Sequence, residues 1–180
     1  MKLIKTLFIQ VLLCSLLACF NGSPQEVILF DFETDAEIYK FQWKCYTLFS
    51  LENDHVSHGV KSLKLQLFPS TYPGLSTKSF MRDWSNYNKL SIDIYNAHHT
   101  SAGIGVRIDD EEDYPNFNNR YSKKFVVNPG LNQLHIPLHS LKTNGTQRPL
   151  NVKNIKRLFI FMSHPQEKYV MYIDYIRLIK

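Results

Sequence analysis

The chain has 180 residues, 44% apolar and 21% charged, with a formal net charge of +5. That is one domain's length and an ordinary core-forming composition, and its basic residues are scattered, with no block longer than Lys123-Lys124, so there is no nucleic-acid footprint. No Gly-x-Ser-x-Gly, Walker loop or His-Glu-x-x-His occurs, which leaves the common hydrolytic and nucleotide-dependent chemistries without a motif.

The N-terminus reads as a targeting segment. Lys2 and Lys5 form a basic start, and residues 7–17 form an apolar run too short to span a bilayer and right for a signal sequence. It ends in Leu16-Leu17-Ala18-Cys19, which resembles a bacterial lipobox. The resemblance implies a lipoprotein signal peptide over residues 1–18 and a lipid on Cys19. A tether over 19–25 would follow, with membrane contact through the lipid anchor only. Phe20 stands where inner-membrane retention is associated with aspartate, so the outer membrane is implied if the host has one. Ordinary signal cleavage with an incidental Cys19 is the alternative. Cys14 would leave with the signal, so Cys45 has no partner for a disulfide and is expected to be a small buried hydrophobe. Loss of Lys2 and Lys5 leaves 19 basic against 16 acidic residues, a net +3.

The remaining chain reads as short strands between turns. Residues 27–32 form the first, residues 35–43 look irregular, and 45–51 form a second. In 62–68, Leu63, Leu65 and Leu67 alternate with Lys64, Gln66 and Phe68, so one face is apolar. Residues 75–80 pair next, and 83–87 are a turn or short helical connection. Leu90, Ile92 and Ile94 alternate with Ser91, Asp93 and Tyr95; Ile104, Val106 and Ile108 alternate with Gly105, Arg107 and Asp109. The acidic run Asp109-Asp110-Glu111-Glu112-Asp113 lacks the glycine and spacing of a calcium loop and reads as solvated. Phe125 to Val127 and Leu134 to Leu138 read as two strands folded about Asn128-Pro129-Gly130, with Pro137 marking an edge or an end. Residues 158–162 and 169–179 are the last strands. With no long helix-period segment, the pattern predicts an all-β, two-sheet antiparallel sandwich over residues 26–180.

Several pieces, in order, resemble the galactose-binding-like jelly rolls, family-11 carbohydrate-binding modules in particular. They are Phe30-Asp31-Phe32-Glu33, Gly59-Val60-Lys61-Ser62-Leu63, Asp83-Trp84-Ser85 leading to Leu90-Ser91-Ile92-Asp93-Ile94, Pro129-Gly130-Leu131-Asn132 leading to Ile136-Pro137-Leu138, and Tyr172-Ile173-Asp174-Tyr175-Ile176-Arg177-Leu178. The resemblance implies neighbouring first and last strands and a structural Ca²⁺ held by Asp31, Glu33 and Asp174, with carbonyls from 57–61. The alternative is that these acids cap turns or pair with Arg177 or Lys180.

A saccharide face needs outward rings beside outward hydrogen-bonding groups. The outward sets are Asp93 with Tyr95, Arg107 with Asp109, and Tyr121 with Lys123, with Trp43, Tyr46 and Tyr72 at the rim. An Arg beside an Asp fixes both rotamers and leaves spare donors and acceptors for hydroxyls. The bland alternative is a solvated face with a structural ion pair. His55, His58 and the pair His98-His99 lack the partners of a zinc site. Asp93 and Asp109 could in principle form a glycosidase pair, but a small sandwich offers no deep cleft for one. The expectation is a non-catalytic, lipid-anchored envelope protein that binds a neutral oligosaccharide or polysaccharide. The alternative is an envelope assembly module holding a protein partner on the same sheet.

Overall fold

The computed structural model describes residues 25–111 and 115–180. The expected signal segment, Cys14, Cys19, Glu112 and Asp113 lie outside the described residues. Among the described residues are eleven strands: β1 (Glu26–Phe30), β2 (Phe41–Lys44), β3 (Thr47–Glu52), β4 (Ser62–Leu67), β5 (Gly74–Thr77), β6 (Lys89–Asn96), β7 (Ala102–Asp109), β8 (Tyr121–Val127), β9 (Gly130–Pro137), β10 (Arg157–Phe161) and β11 (Tyr169–Ile179). One four-residue helix, α1 (Asp35–Ile38), precedes β2. The segment 35–43, read as irregular, therefore holds a helical turn and the start of a strand.

The strands form two antiparallel sheets. Sheet I runs β3-β4-β11-β6-β9, and β1 also pairs with β11. Sheet II runs β2-β5-β10-β7-β8. The first and last strands are neighbours, with Glu26 opposite Ile179 and Phe30 opposite Ile176. β11 is long enough to carry two partners along one edge: Tyr169 to Ile173 face β4, and Ile176 to Ile179 face β1. A bulge between Asp174 and Arg177 separates the two halves.

Period-two alternation places the core between the sheets. Leu63, Leu65, Ile92, Ile94, Val106, Ile108, Leu134 and Ile136 all point inward and are buried. Burying each such side chain is worth roughly 1.5–3 kcal/mol. Trp84, fully buried in the 83–87 turn, joins them and donates its indole N–H to the Met81 carbonyl at 2.7 Å.

The turn at Asn128-Pro129-Gly130 differs from the hairpin expected of it. β8 is the edge of sheet II and β9 the edge of sheet I, so the chain changes sheets here. The Asn132 side chain holds this corner, accepting from the Asn128 N–H at 2.9 Å and donating to the Asn128 carbonyl at 2.7 Å. Gly130 has φ 90, which L side chains rarely adopt. A turn and a sheet-to-sheet corner use the same residues, so local chemistry did not separate them.

Cys45 also departs from expectation. It sits exposed in the β2–β3 turn with φ 51, where no core can reach it.

Candidate functional site

The topology divides the expected saccharide face in two. Asp93 and Tyr95 lie on β6 in sheet I, whereas Arg107 and Asp109 lie on β7 in sheet II. Both pairs point away from the core, so they occupy opposite outer faces of the sandwich. Alternation gives a residue's side of its own strand but not the sheet that strand joins.

On sheet I the polar and aromatic groups are engaged with one another. Asp93 is buried and accepts from Arg177 Nη1 at 3.0 Å and from Gln133 at 3.4 Å. The Tyr95 ring lies flat against His55, centroids 3.6 Å apart, and Tyr175 lies against His58 at 4.1 Å. The Arg177 guanidinium sits 3.8 Å from the Tyr175 ring centre. These ring faces are already covered by the protein's own side chains.

Sheet II carries a groove of about 460 Å³ on its outer face. On β10, Leu158 and Ile160 go inward, which turns Phe159 and Phe161 outward. Their rings stack at 4.6 Å, and Tyr72 meets Phe161 edge-on at 5.6 Å. Register brings Arg107 beside Phe159 on one side and Ser122 on the other, and brings Gly105 between Phe161 and Lys124. A Cβ on Gly105 would stand 2.5 Å from the Phe161 ring, so the absent side chain is what lets the ring lie across β7. Phe117 and Arg120, just before β8, close one end.

A charged cluster fixes the groove floor. Asp109 is fully buried and accepts from Arg107 Nε at 2.7 Å, Arg107 Nη2 at 2.8 Å and Arg157 Nη1 at 3.2 Å. This bidentate fork holds the Arg107 plane in one orientation. Asp110 turns away to Arg148, at 2.6 and 2.9 Å, and accepts from the Asn151 N–H at 2.7 Å. Burial opposes its ionisation, but Arg148 and that N–H outweigh burial and hold its pKa below the usual carboxylate value. The acidic run expected to be solvated thus begins with two buried, paired aspartates.

The other expected residues scatter. Tyr121 lies opposite Ile108 and faces inward, and burial pushes its phenol up to about 12. Lys123 is on the same side of the edge strand β8, where its amine reaches out over the Phe125 ring and to the groove rim. Trp43 stacks on Phe49 at 3.6 Å, joining the edge strands β2 and β3 of the two sheets. Tyr46 is exposed beside Cys45, Leu48 and Phe68. Of the expected ring and charge set, the structure brings Tyr72, Arg107 and Lys123 to the groove lining, with Asp109 beneath.

Asp31, Glu33 and Asp174 converge on the 57–61 loop, as the neighbouring first and last strands require. Glu33 Oε1 accepts from the Val60 and Lys61 N–H groups, each at 2.9 Å, and these bonds hold its pKa low. Asp174 Oδ2 accepts from the Ser57 and His58 N–H groups at 2.7 and 2.9 Å, and its Oδ1 from Tyr175 at 2.7 Å. Burial nevertheless raises the Asp174 pKa, outweighing these donors. The loop presents N–H groups where a hard cation needs oxygens, so the donor set is a poor fit for calcium. Among the described residues no three His, Cys, Asp or Glu groups are gathered to hold a metal ion.

Phe159, Phe161, Arg120 and Lys124 were not singled out from sequence. In Arg157-Leu158-Phe159-Ile160-Phe161-Met162 every residue after the arginine is apolar, which conceals the alternation. The usable signal was two aromatics at period two within that run.

No protein-family model matches the chain, and no curated protein matches it by sequence. Solved structures do match its fold. A family-11 carbohydrate-binding module from Clostridium thermocellum, in complex with a β-1,3-1,4-mixed-linked tetrasaccharide, superposes with a TM-score of 0.66 at 17% identity, covering 88% of this chain and 97% of that one. The family-11 module of the cellulosomal cellulase Lic26A-Cel5E of the same organism gives 0.64 at 18%, covering 88% and 96%. An exo-β-agarase gives 0.67 at 18%, but the chain spans only 24% of that enzyme's length. The fold is therefore the jelly-roll β-sandwich of carbohydrate-binding modules.

Proposed function

We propose that this protein is a non-catalytic carbohydrate-binding module that takes a saccharide into the groove on the outer face of sheet II. The observation carrying this reading is the half-buried pair of rings, Phe159 and Phe161, that lines the groove beside an Arg107 held rigid by a buried Asp109. Aromatic faces suit the apolar C–H faces of a sugar, and a fixed guanidinium meets hydroxyls without losing rotamer entropy. The fold likeness to modules of this kind supports the same reading, one of them having been solved with a tetrasaccharide bound. In this proposal Cys19 bears lipid and anchors the module to the cell envelope, with residues 19–25 as the tether.

A titration of the full chain in mild detergent, by calorimetry, tests it. The panel is mixed-linkage β-glucan, agarose and acidic oligosaccharides. Expected are micromolar-to-millimolar constants, roughly 4–8 kcal/mol, lost in Phe161→Ala without loss of fold. Heats of dilution alone across the panel would sink the reading. A second reading, a protein-interaction module, rests on Tyr46 and Leu48, exposed beside the half-buried Phe68. A pull-down lost in Leu48→Glu but kept in Phe161→Ala would favour it.

A further inference from the structure

The groove is more cationic than a neutral sugar requires. Among the described residues its lining carries Arg107, Arg120, Lys123 and Lys124 and no carboxylate. Beneath it, the single charge of Asp109 is shared by Arg107 and Arg157. Of the neighbouring acids among the described residues, Asp110 and Glu111 both pair with Arg148. The expected face counted Asp93 among its groups, and Asp93 belongs to the opposite sheet.

Arg120 is the informative member. Its Nη1 donates to the Pro115 carbonyl at 3.3 Å and its guanidinium lies 5.9 Å from the Phe117 ring centre. Its Nε is buried and has no hydrogen-bond partner among the described residues. A buried donor left without an acceptor costs stability, and a charged one more so. Burial, reinforced by the like charges of Arg107 and Arg157, pushes its pKa below the ordinary arginine value, yet an arginine stays protonated. An anionic group entering beside Phe117 would relieve the repulsion between the guanidiniums. Lys123 and Lys124 at the rim would draw it in through a longer-range field.

Resting on the saccharide-groove reading, we infer that the preferred ligand is an acidic polysaccharide, with a sulfate ester or uronate carboxylate seated between Arg107 and Arg120. The rings hold the sugar face while the guanidiniums hold its anionic substituent through charge-assisted hydrogen bonds.

The test is calorimetry of the full chain in detergent with matched neutral and charged ligands: agarose against sulfated galactan oligosaccharides, and mixed-linkage glucan against oligogalacturonate. Inorganic sulfate and single-stranded DNA serve as controls. Expected is binding of one charged class about tenfold or more tighter than its neutral match at low salt, with the gap narrowing as salt rises. Whichever charged class wins identifies the substituent. Arg120→Gln, and independently the rim variant Lys124→Gln, should weaken the charged ligand more than its neutral match and so narrow the gap, whereas Phe161→Ala removes both. Equal binding of neutral and charged ligands would overturn this inference and leave the groove reading standing. No binding of any saccharide would overturn both. Sulfate alone or DNA binding as tightly as the acidic sugars would also overturn it, marking the cluster as a general anion or polyanion site.

Discussion

Replacing Asp109 by Ala is the sharpest perturbation of the groove floor. The carboxylate is fully buried and accepts three charged hydrogen bonds, two from Arg107 and one from Arg157. Both arginines are themselves buried, at 9% and 4% exposure. Removing the acid leaves adjacent guanidiniums without their shared counter-charge, a change that costs about 3–5 kcal/mol in buried pairs. The groove admits water to Arg107, so the lower end, about 3 kcal/mol, is expected. At about 2–4 °C per kcal/mol for a domain of this size, the melting point should fall by roughly 6–12 °C. Urea unfolding followed by tryptophan fluorescence measures the loss directly, and an unchanged slope would confirm that the native state itself was weakened. The double variant Asp109→Ala, Arg107→Met should recover part of the loss, because it removes one orphaned charge. A loss below about 0.5 kcal/mol, the range of surface changes, would refute the buried cluster as described.

Burial of the Tyr121 phenol, which pushes it up to about 12, makes stability pH-dependent in alkali. An unfolded tyrosine ionises near 10, so this contribution is intact below about pH 10 and is lost as pH rises towards 12; alkaline urea titrations of Tyr121→Phe should lack that slope, and an identical slope would disprove the assignment. Metal-stripped protein should melt at the same temperature with and without calcium, since backbone N–H groups engage Glu33 and Asp174; a calcium-dependent rise of several degrees would reinstate the ion. Gly105→Ala should displace the Phe161 ring, whose nearest atom lies 2.5 Å from the added Cβ, weakening saccharide binding about tenfold for a stability cost near the low end of about 1–3 kcal/mol; unchanged affinity would remove that ring from the site. A fatty-acid analogue fed to bacteria expressing the full chain should label wild type and not Cys19→Ala, and equal labelling would dispose of the lipid anchor.

The fold was legible because core burial imposes period two, and Leu63, Leu65 and Leu67, or Ile104, Val106 and Ile108, show that period unbroken. The site was less legible, for three physical reasons. Sheet membership is decided by long-range pairing, so the sequence of Asp93 and of Arg107 looked alike although they face opposite ways. Strand parity fails at an edge strand, where Lys123 can snorkel outward from the same side as the inward Tyr121. A groove can also be lined by apolar residues that face out of a run of apolar neighbours, as Phe159 and Phe161 do after Arg157.

The place of β10 and β11 in the sheets has a kinetic consequence. Both are inner strands, one in each sheet, yet they are the last two in chain order. Before residues 157–179 exist as free chain, sheet I can hold only the β3–β4 and β6–β9 pairs, with β1 unpaired, and sheet II only β2–β5 and β7–β8. Neither sheet can close during synthesis, however stable these strand pairs. Folding must wait for contacts spanning nearly the whole domain, such as Glu26 with Ile179, which places this protein among slow, high-contact-order folders. A chain shortened by its final two strands would not fray at one edge; it would come apart into separate strand pairs.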